Sequence, residues 1–150
     1  MTTSYRIAVV VSRFNRAVTD RLVDGARAAA TENGLRLGEC DVFSVPGAFE
    51  LPVVAQRLAD TGRYDGLVCL GAVVRGETPH FDYVCQQVAA GIQRVALDGR
   101  MPISFGVLTT NSEEEALARA GGASENKGYE AVVTVLRTLE ELARATDSDT

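Results

Sequence analysis

The chain has 150 residues, and 15 basic against 20 acidic side chains leave a formal net charge of −5. Fourteen of the basic residues are Arg and one is Lys, Lys127, beside a single His, His80, and no Trp. A pI near 4.9 without a cluster of Lys and Arg excludes a surface for nucleic acid or anionic membrane, and one His with three Cys is too few for the usual His-rich or paired-Cys metal sites.

Arg6 to Val11 holds a continuous Ile-Ala-Val-Val-Val run, short and β-branched, which predicts a strand buried on both faces. A helix follows, because Val18, Leu22, Ala26 and Ala29 or Ala30 recur at three and four residues, with Thr19 and Asp20 near its start and Asn33-Gly34 as its stop. Leu35 to Val45 reads as a second strand, Glu50 to Asp60 as a second helix ended by Thr61-Gly62, and Leu67 to Val74 as a third strand. Pro79 opens a long helix, with Thr78 as its N-cap and Phe81, Val84, Cys85, Val88, Ile92 and Val95 as its apolar face. Ile103 to Leu108 is a fourth strand. Ser112 and Glu115 have the spacing of a capping box, and the acidic residues there complement a helix dipole. A last helix runs from about Gly128 to Ala143, with Ala131, Val132, Val135, Leu136, Leu139 and Leu142 inward, before a polar, frayed tail from Asp147 to Thr150.

Nearly all-apolar strands alternating with helices predict an α/β domain of three layers. Its four-stranded parallel sheet is expected in the flavodoxin-like order 2-1-3-4, flanked by helices. The length fits a single domain over residues 1–150, burying roughly 70% of the unfolded chain's surface. Cys40, Cys69 and Cys85 are odd in number and lie in apolar runs, so they read as reduced thiols filling the core. The start lacks a basic stretch followed by a long apolar one, and no window approaches about 18 apolar residues, so the expected location is the cytoplasm.

In such sheets ligands collect beyond the carboxyl ends of the strands. Chemistry is therefore sought in Ser12 to Arg16, Ser44 to Glu50, Gly71 to His80 and Phe105 to Ser112. Arg75-Gly76-Glu77-Thr78-Pro79-His80-Phe81 is the densest of these: Gly76 permits close backbone approach, and the helix entry behind it suits a small anion or phosphate. It lacks the glycine spacing of an ATP or NAD site. His80 falls in the first helical turn, where the dipole favours a neutral ring able to exchange protons; a loop histidine without a task is the alternative. In Val45-Pro46-Gly47-Ala48-Phe49-Glu50-Leu51-Pro52, Glu50 offsets a helix dipole and Phe49 staples the helix entry unless both face a ligand. Phe14 either stacks on a planar heterocycle or joins the core. Arg119 and Lys127 bracket the Gly121-Gly122 loop, and Lys127 is notable as an ammonium in a chain that otherwise uses guanidinium.

The segments Val45 to Pro52, Leu70-Gly71-Ala72-Val73-Val74-Arg75-Gly76-Glu77-Thr78-Pro79-His80-Phe81-Asp82-Tyr83-Val84, Phe105-Gly106-Val107-Leu108-Thr109-Thr110, Arg119-Ala120-Gly121 and Asn126-Lys127-Gly128 together resemble 6,7-dimethyl-8-ribityllumazine synthase. The resemblance runs from Ile7 to the last helix. It implies a transferase of riboflavin biosynthesis that condenses 5-amino-6-ribitylaminouracil with 3,4-dihydroxy-2-butanone 4-phosphate, without metal or organic cofactor. It also implies a homopentamer, or a decamer or icosahedral cage built from pentamers, with sites between subunits and riboflavin synthase as an associated partner.

Carried over residue by residue, the resemblance gives Phe14 to stacking on the pyrimidine, and Ala48, Phe49, Val73 and Val74 to reading its edge. Glu50 goes to the ribityl hydroxyls, Phe105 to closure from the adjacent subunit, and Lys127 to the pyrimidine or ribityl side. Gly76, Glu77 and Thr78 go to the phosphate, together with Arg119 from that same adjacent subunit, and His80 to proton transfer. Glu125 departs from the family, many of whose members carry Gly there, and either shifts the Lys127 loop or pairs with it. A riboflavin- or lumazine-binding carrier with weak or no catalysis is the rival reading of the same pocket.

Overall fold

A computed structural model describes residues 4–121 and 125–147. Gly122 of the loop beside Arg119, and Ser148 to Thr150 of the tail, lie outside the described residues. The strands are β1 (Ile7–Ser12), β2 (Val42–Val45), β3 (Gly66–Val74) and β4 (Ile103–Thr110), all parallel and in the order β2-β1-β3-β4. The helices are α1 (Arg16–Glu32), α2 (Leu51–Asp60), α3 (His80–Gly99), α4 (Glu113–Ala118) and α5 (Lys127–Thr146). The expected topology is the observed one.

Every residue of β1 is buried, because both faces of the sheet are covered. Ile7, Val9 and Val11 join Val68, Leu70, Val18, Leu22, Val132 and Val135 in the layer under α1 and α5. The alternate residues Ala8 and Val10 join Leu67, Cys69, Leu51, Leu58, Val88 and Ile92 under α2 and α3. Two apolar faces on one strand are what a continuous Val/Ile run requires.

Two boundaries differ from the sequence reading. The segment Leu35 to Val45 is not one strand. After an isolated bridge between Arg6 and Arg36 the chain makes a 3-10 turn over Glu39–Asp41, and β2 begins only at Val42. Asp41 Oδ2 accepts from the Gly38 N–H at 2.9 Å and fixes that turn. The long helix starts at His80 with Pro79, not Thr78, as its N-cap. As expected, Ser112 caps α4 by accepting from the Glu115 N–H at 3.1 Å, and α5 starts at Lys127, capped by Asn126. Cys69 and Cys85 are buried and half-buried, but Cys40 is exposed in the 3-10 turn and fills no core. On α5, Leu142 is also exposed, because the helix outruns the sheet it packs against.

Asp41 is a buried carboxylate at the amino-terminal end of the sheet, and it is fully partnered. Its Oδ1 accepts from Arg6 at 2.9 Å and from the Tyr64 hydroxyl at 2.8 Å, while the Arg6 guanidinium lies over the Tyr64 ring at 5.1 Å. Burial alone would raise its pKa, but the Gly38 N–H, the Tyr64 hydroxyl and Arg6 outweigh that and hold it below the ordinary value of 3.8. A depressed carboxylate contributes stability that is fully present above the unfolded pKa and is lost as pH falls through the folded one. Asp41→Asn is expected to cost about 2 kcal/mol in urea unfolding. The gap from wild type should be constant above about pH 5 and shrink as the pH drops below 4. A gap independent of pH down to acid unfolding would show that the charge contributes nothing.

Candidate active site

The turns after β1, β2 and β3 and the first two turns of α3 enclose a cleft of about 760 Å³. Phe14, Ala48, Phe49, Glu50, Val73, Val74, Gly76, Thr78 and His80 all line it. Phe14 is 67% exposed and Phe49 59%, so neither is core and Phe49 is no helix staple. Asn15 adopts a left-handed backbone, φ 63°, and its Nδ2 donates to the Ala72 carbonyl at 3.4 Å; this sharp turn leaves Phe14 at the mouth of the cleft. Asn tolerates that conformation better than most residues because its short amide bonds locally. Glu50 closes a second 3-10 turn, Ala48–Glu50, by accepting from the Gly47 N–H at 2.9 Å through Oε1. One oxygen holds the turn, and that bond fixes the direction of the carboxylate.

His80 is the first residue of α3 and is exposed. In the loop before it, the N–H groups of Gly76, Glu77 and Thr78 donate to no other described residue. Glu77 is exposed on this loop and does not line the cleft.

The other three predicted residues lie elsewhere. Phe105, Arg119 and Lys127 line a second cleft, of about 390 Å³, along the outer edge of β4 and the start of α5. Phe105 is 45% exposed because β4 has no strand on its far side. Arg119 Nη1 donates to the Glu115 carbonyl at 3.0 Å, and the Lys127 N–H donates to the Arg119 carbonyl at 2.9 Å, tying the two cations together through the backbone. The Lys127 ammonium meets Glu130 Oε1 at 3.2 Å. Its carboxylate partner is thus one helical turn on, rather than Glu125.

Asn126 holds this corner. Its side-chain oxygen accepts from the N–H groups of Gly128 at 2.8 Å and Tyr129 at 3.0 Å, and its amide donates to the carbonyls of Arg21, Ala120 and Gly121 at 3.0, 3.4 and 3.2 Å. Two glycines make room for it: a Cβ on Gly25 would overlap the Asn126 amide, and one on Gly128 would overlap the Leu22 carbonyl. The Asn-Lys-Gly sequence is therefore a packing device that sets where Lys127 begins.

Sequence reasoning missed Tyr83 and Gln87 in the first cleft and Glu130 and Thr134 in the second. Their signal was helical spacing: His80, Tyr83 or Val84, and Gln87 share one face of α3, and Lys127, Glu130 or Ala131, and Thr134 share one face of α5. Among the described residues no group of three His, Cys, Asp or Glu side chains is placed to hold a metal, and no helix is long and apolar enough to cross a membrane.

A three-layer parallel sheet with an apolar, aromatic-rimmed cleft, a second and more polar cleft, and a few fixed polar groups at its strand ends is the frame of a small-molecule enzyme. The description "6,7-dimethyl-8-ribityllumazine synthase" belongs to the family whose profile matches residues 4–143. Proteins of that name from three strains of Coxiella burnetii are each 49% identical over 142 residues, covering 93% of this chain and 94% of theirs. The chain belongs to the 6,7-dimethyl-8-ribityllumazine synthase family, and its activity is that transferase step of riboflavin biosynthesis.

No cysteine lines either cleft, and burial pushes the Cys69 thiol up to about 12. A soluble thiol reagent is expected to modify Cys40 in the folded protein within minutes and Cys69 only after denaturation, as peptide mapping of labelled protein will read. Rapid native labelling of Cys69 would mean that β3 opens far more readily than its burial implies.

Proposed function

We propose that each catalytic site is shared, the first cleft of one protomer facing the second cleft of its neighbour in a homo-oligomer, with a closed pentamer as the basic ring. The observation that supports this is the separation itself. One chain carries the stacking, ribityl and proton-transfer groups in one cleft, and the cationic groups with Phe105 in another. A ring built from one repeated heterologous contact joins the two halves at every interface. Decamers or cages of such rings, association with riboflavin synthase, a cytoplasmic location and a single domain over residues 1–150 belong to the same reading.

In this site 5-amino-6-ribitylaminouracil stacks on Phe14, its edge is read by backbone at Ala48, Phe49, Val73 and Val74, and its ribityl hydroxyls bond Glu50. Phe105 closes the pocket from the adjacent subunit, and Lys127 approaches the pyrimidine or ribityl side. The phosphate of 3,4-dihydroxy-2-butanone 4-phosphate lies on the N–H groups of Gly76, Glu77 and Thr78 and pairs with the neighbour's Arg119, since a leaving phosphate needs fixed donors and a guanidinium fork. The amine attacks the ketone and expels water to form an imine, phosphate leaves, and the second nitrogen closes the ring with loss of another water. Each stage moves protons, and His80 is the group placed to carry them. The reaction draws on no cofactor, and most of its acceleration comes from holding two substrates together.

Mixing the two substrates with the protein is expected to produce lumazine absorbance and inorganic phosphate together. Tight riboflavin binding without turnover would instead support the carrier. His80→Ala should lower kcat by about tenfold to a hundredfold, and turnover equal to wild type would remove His80 from the mechanism. Arg119→Ala should weaken the phosphate-bearing substrate by about a hundredfold. Sharing has its own test: Arg119→Ala refolded together with a Phe14→Ala, His80→Ala double variant in equal amounts should regain activity, because about a quarter of all interfaces in the mixed oligomers join two intact halves. Activity no higher than the sum of the separate variants would place the whole site within one chain.

A further inference from the structure

The phosphate loop, residues 76–79, is exposed throughout, and its first three N–H groups have no partner among the described residues. A loop in that state needs an external brace to present its N–H groups in one arrangement. The side chain immediately before it supplies one. Arg75 Nε donates to Asn111 Oδ1 at 3.0 Å, its Nη2 reaches Asp82 Oδ1 at 3.5 Å, and its guanidinium lies over the Phe81 ring at 4.4 Å. The Arg75 N–H also donates to the Thr110 carbonyl at 2.8 Å. One planar group thus joins three pieces of chain: the start of the loop, the first turn of α3 at its far end, and the corner between β4 and α4.

We propose that Arg75 is a positioning residue for the phosphate subsite. It holds the two ends of the loop at a fixed separation and holds both against the β4 corner. Arg75 does not line the cleft, and its guanidinium is already occupied by Asn111, Asp82 and the face of Phe81, so it acts through the loop rather than on the phosphate. The geometry also explains the residue type. A guanidinium stacks flat on a ring while its rim donates in the plane, whereas an ammonium does neither well. The inference rests on the assignment of the phosphate to this loop.

The test compares wild type, Arg75→Ala, Arg75→Lys and Asn111→Ala as assembled enzyme. It reads the KM of each substrate, kcat, and the affinity for inorganic phosphate by calorimetry. Arg75→Ala is expected to raise the KM of the butanone phosphate and the Kd of inorganic phosphate together by about tenfold, with the pyrimidine KM within about twofold of wild type. Arg75→Lys should resemble Arg75→Ala, and Asn111→Ala, which removes one strut and leaves the charge, should move the same two constants by a smaller factor. Recovery by Lys would overturn the brace in favour of simple charge. Equal shifts in both substrates, or none, would overturn it in favour of a general structural role or no role. Wild-type enzyme that turns over both substrates yet fails to bind inorganic phosphate, with Thr78→Ala and Arg119→Ala unaltered in the butanone phosphate KM, would remove the phosphate from this loop. That result would overturn the inference together with the assignment beneath it.

Discussion

All four strands run in one direction, and from that constraint the rest of the molecule follows. A parallel pair has no short connection, so each return passes over a face of the sheet as a helix, and every strand-to-helix turn emerges at the same end. The order β2-β1-β3-β4 adds a second consequence. The chain winds one way from β1 to β2, then crosses back past β1 to β3 and on to β4, so the connections leaving β1 and β3 lie on opposite sides and leave a crevice between them. The first cleft occupies it, lined by Phe14 from one turn and by Val73, Val74 and Gly76 from the other. At the far side, β4 ends the sheet with one edge unpaired, and the second cleft follows that edge. Both clefts are products of winding order before any particular side chain is considered.

The surface of a lone chain is costly where these clefts open. Phe14, Phe49, Tyr83 and Phe105 stand exposed while the strands beneath them are almost wholly buried. Aromatic side chains gathered at a cleft are a surface waiting to be covered. In a shared site the cover is a ring of substrate on one side and a neighbouring chain on the other. The same exposed area then drives assembly and selects planar ligands. In the proposed shared site, this would link the aromatic rims to the division of polar groups between clefts, since the contact that hides the aromatics would also bring cations to the phosphate loop.

How much of this was legible in the sequence depends on whether the determining contact is local. Continuous apolar runs announced buried parallel strands, and helical periodicity announced the layers, since both patterns repeat within a few residues. Asp41 shows the limit. Leu35 to Val45 reads as extended until Gly38, Arg6 and Tyr64 converge on one carboxylate and bend the chain, and two of those partners are more than twenty positions away. At the site, the family motif named residues that line one or other of two clefts, Glu77 excepted. The resemblance already gives Phe105 and Arg119 to the adjacent subunit, but the physical reason that the residues fall into two groups comes from sheet order. Tyr83 and Gln87 went unread because an exposed helical face carries no signal until something lines up opposite it. The brace of Arg75 was equally hidden, its partners lying at positions 81, 82 and 111.

The two cations of the second cleft illustrate what geometry adds to residue type. Counted from the sequence, Arg119 and Lys127 are two positive charges near one loop. Their surroundings differ. Arg119 donates to a neutral carbonyl, that of Glu115, so its charge is directed but not cancelled. Lys127 lies against the Glu130 carboxylate, so most of its field is met within one turn of α5. An anion approaching this edge is therefore drawn to the guanidinium, whose fork also matches phosphate oxygens. The ammonium, paired already, suits a neutral carbonyl or hydroxyl that wants a donor without a net charge. Assigning the phosphate to Arg119 and the heterocycle or its ribityl chain to Lys127 thus has a physical basis independent of the motif. It rests on Asn126, which fixes the start of α5 and with it the distance between the two cations.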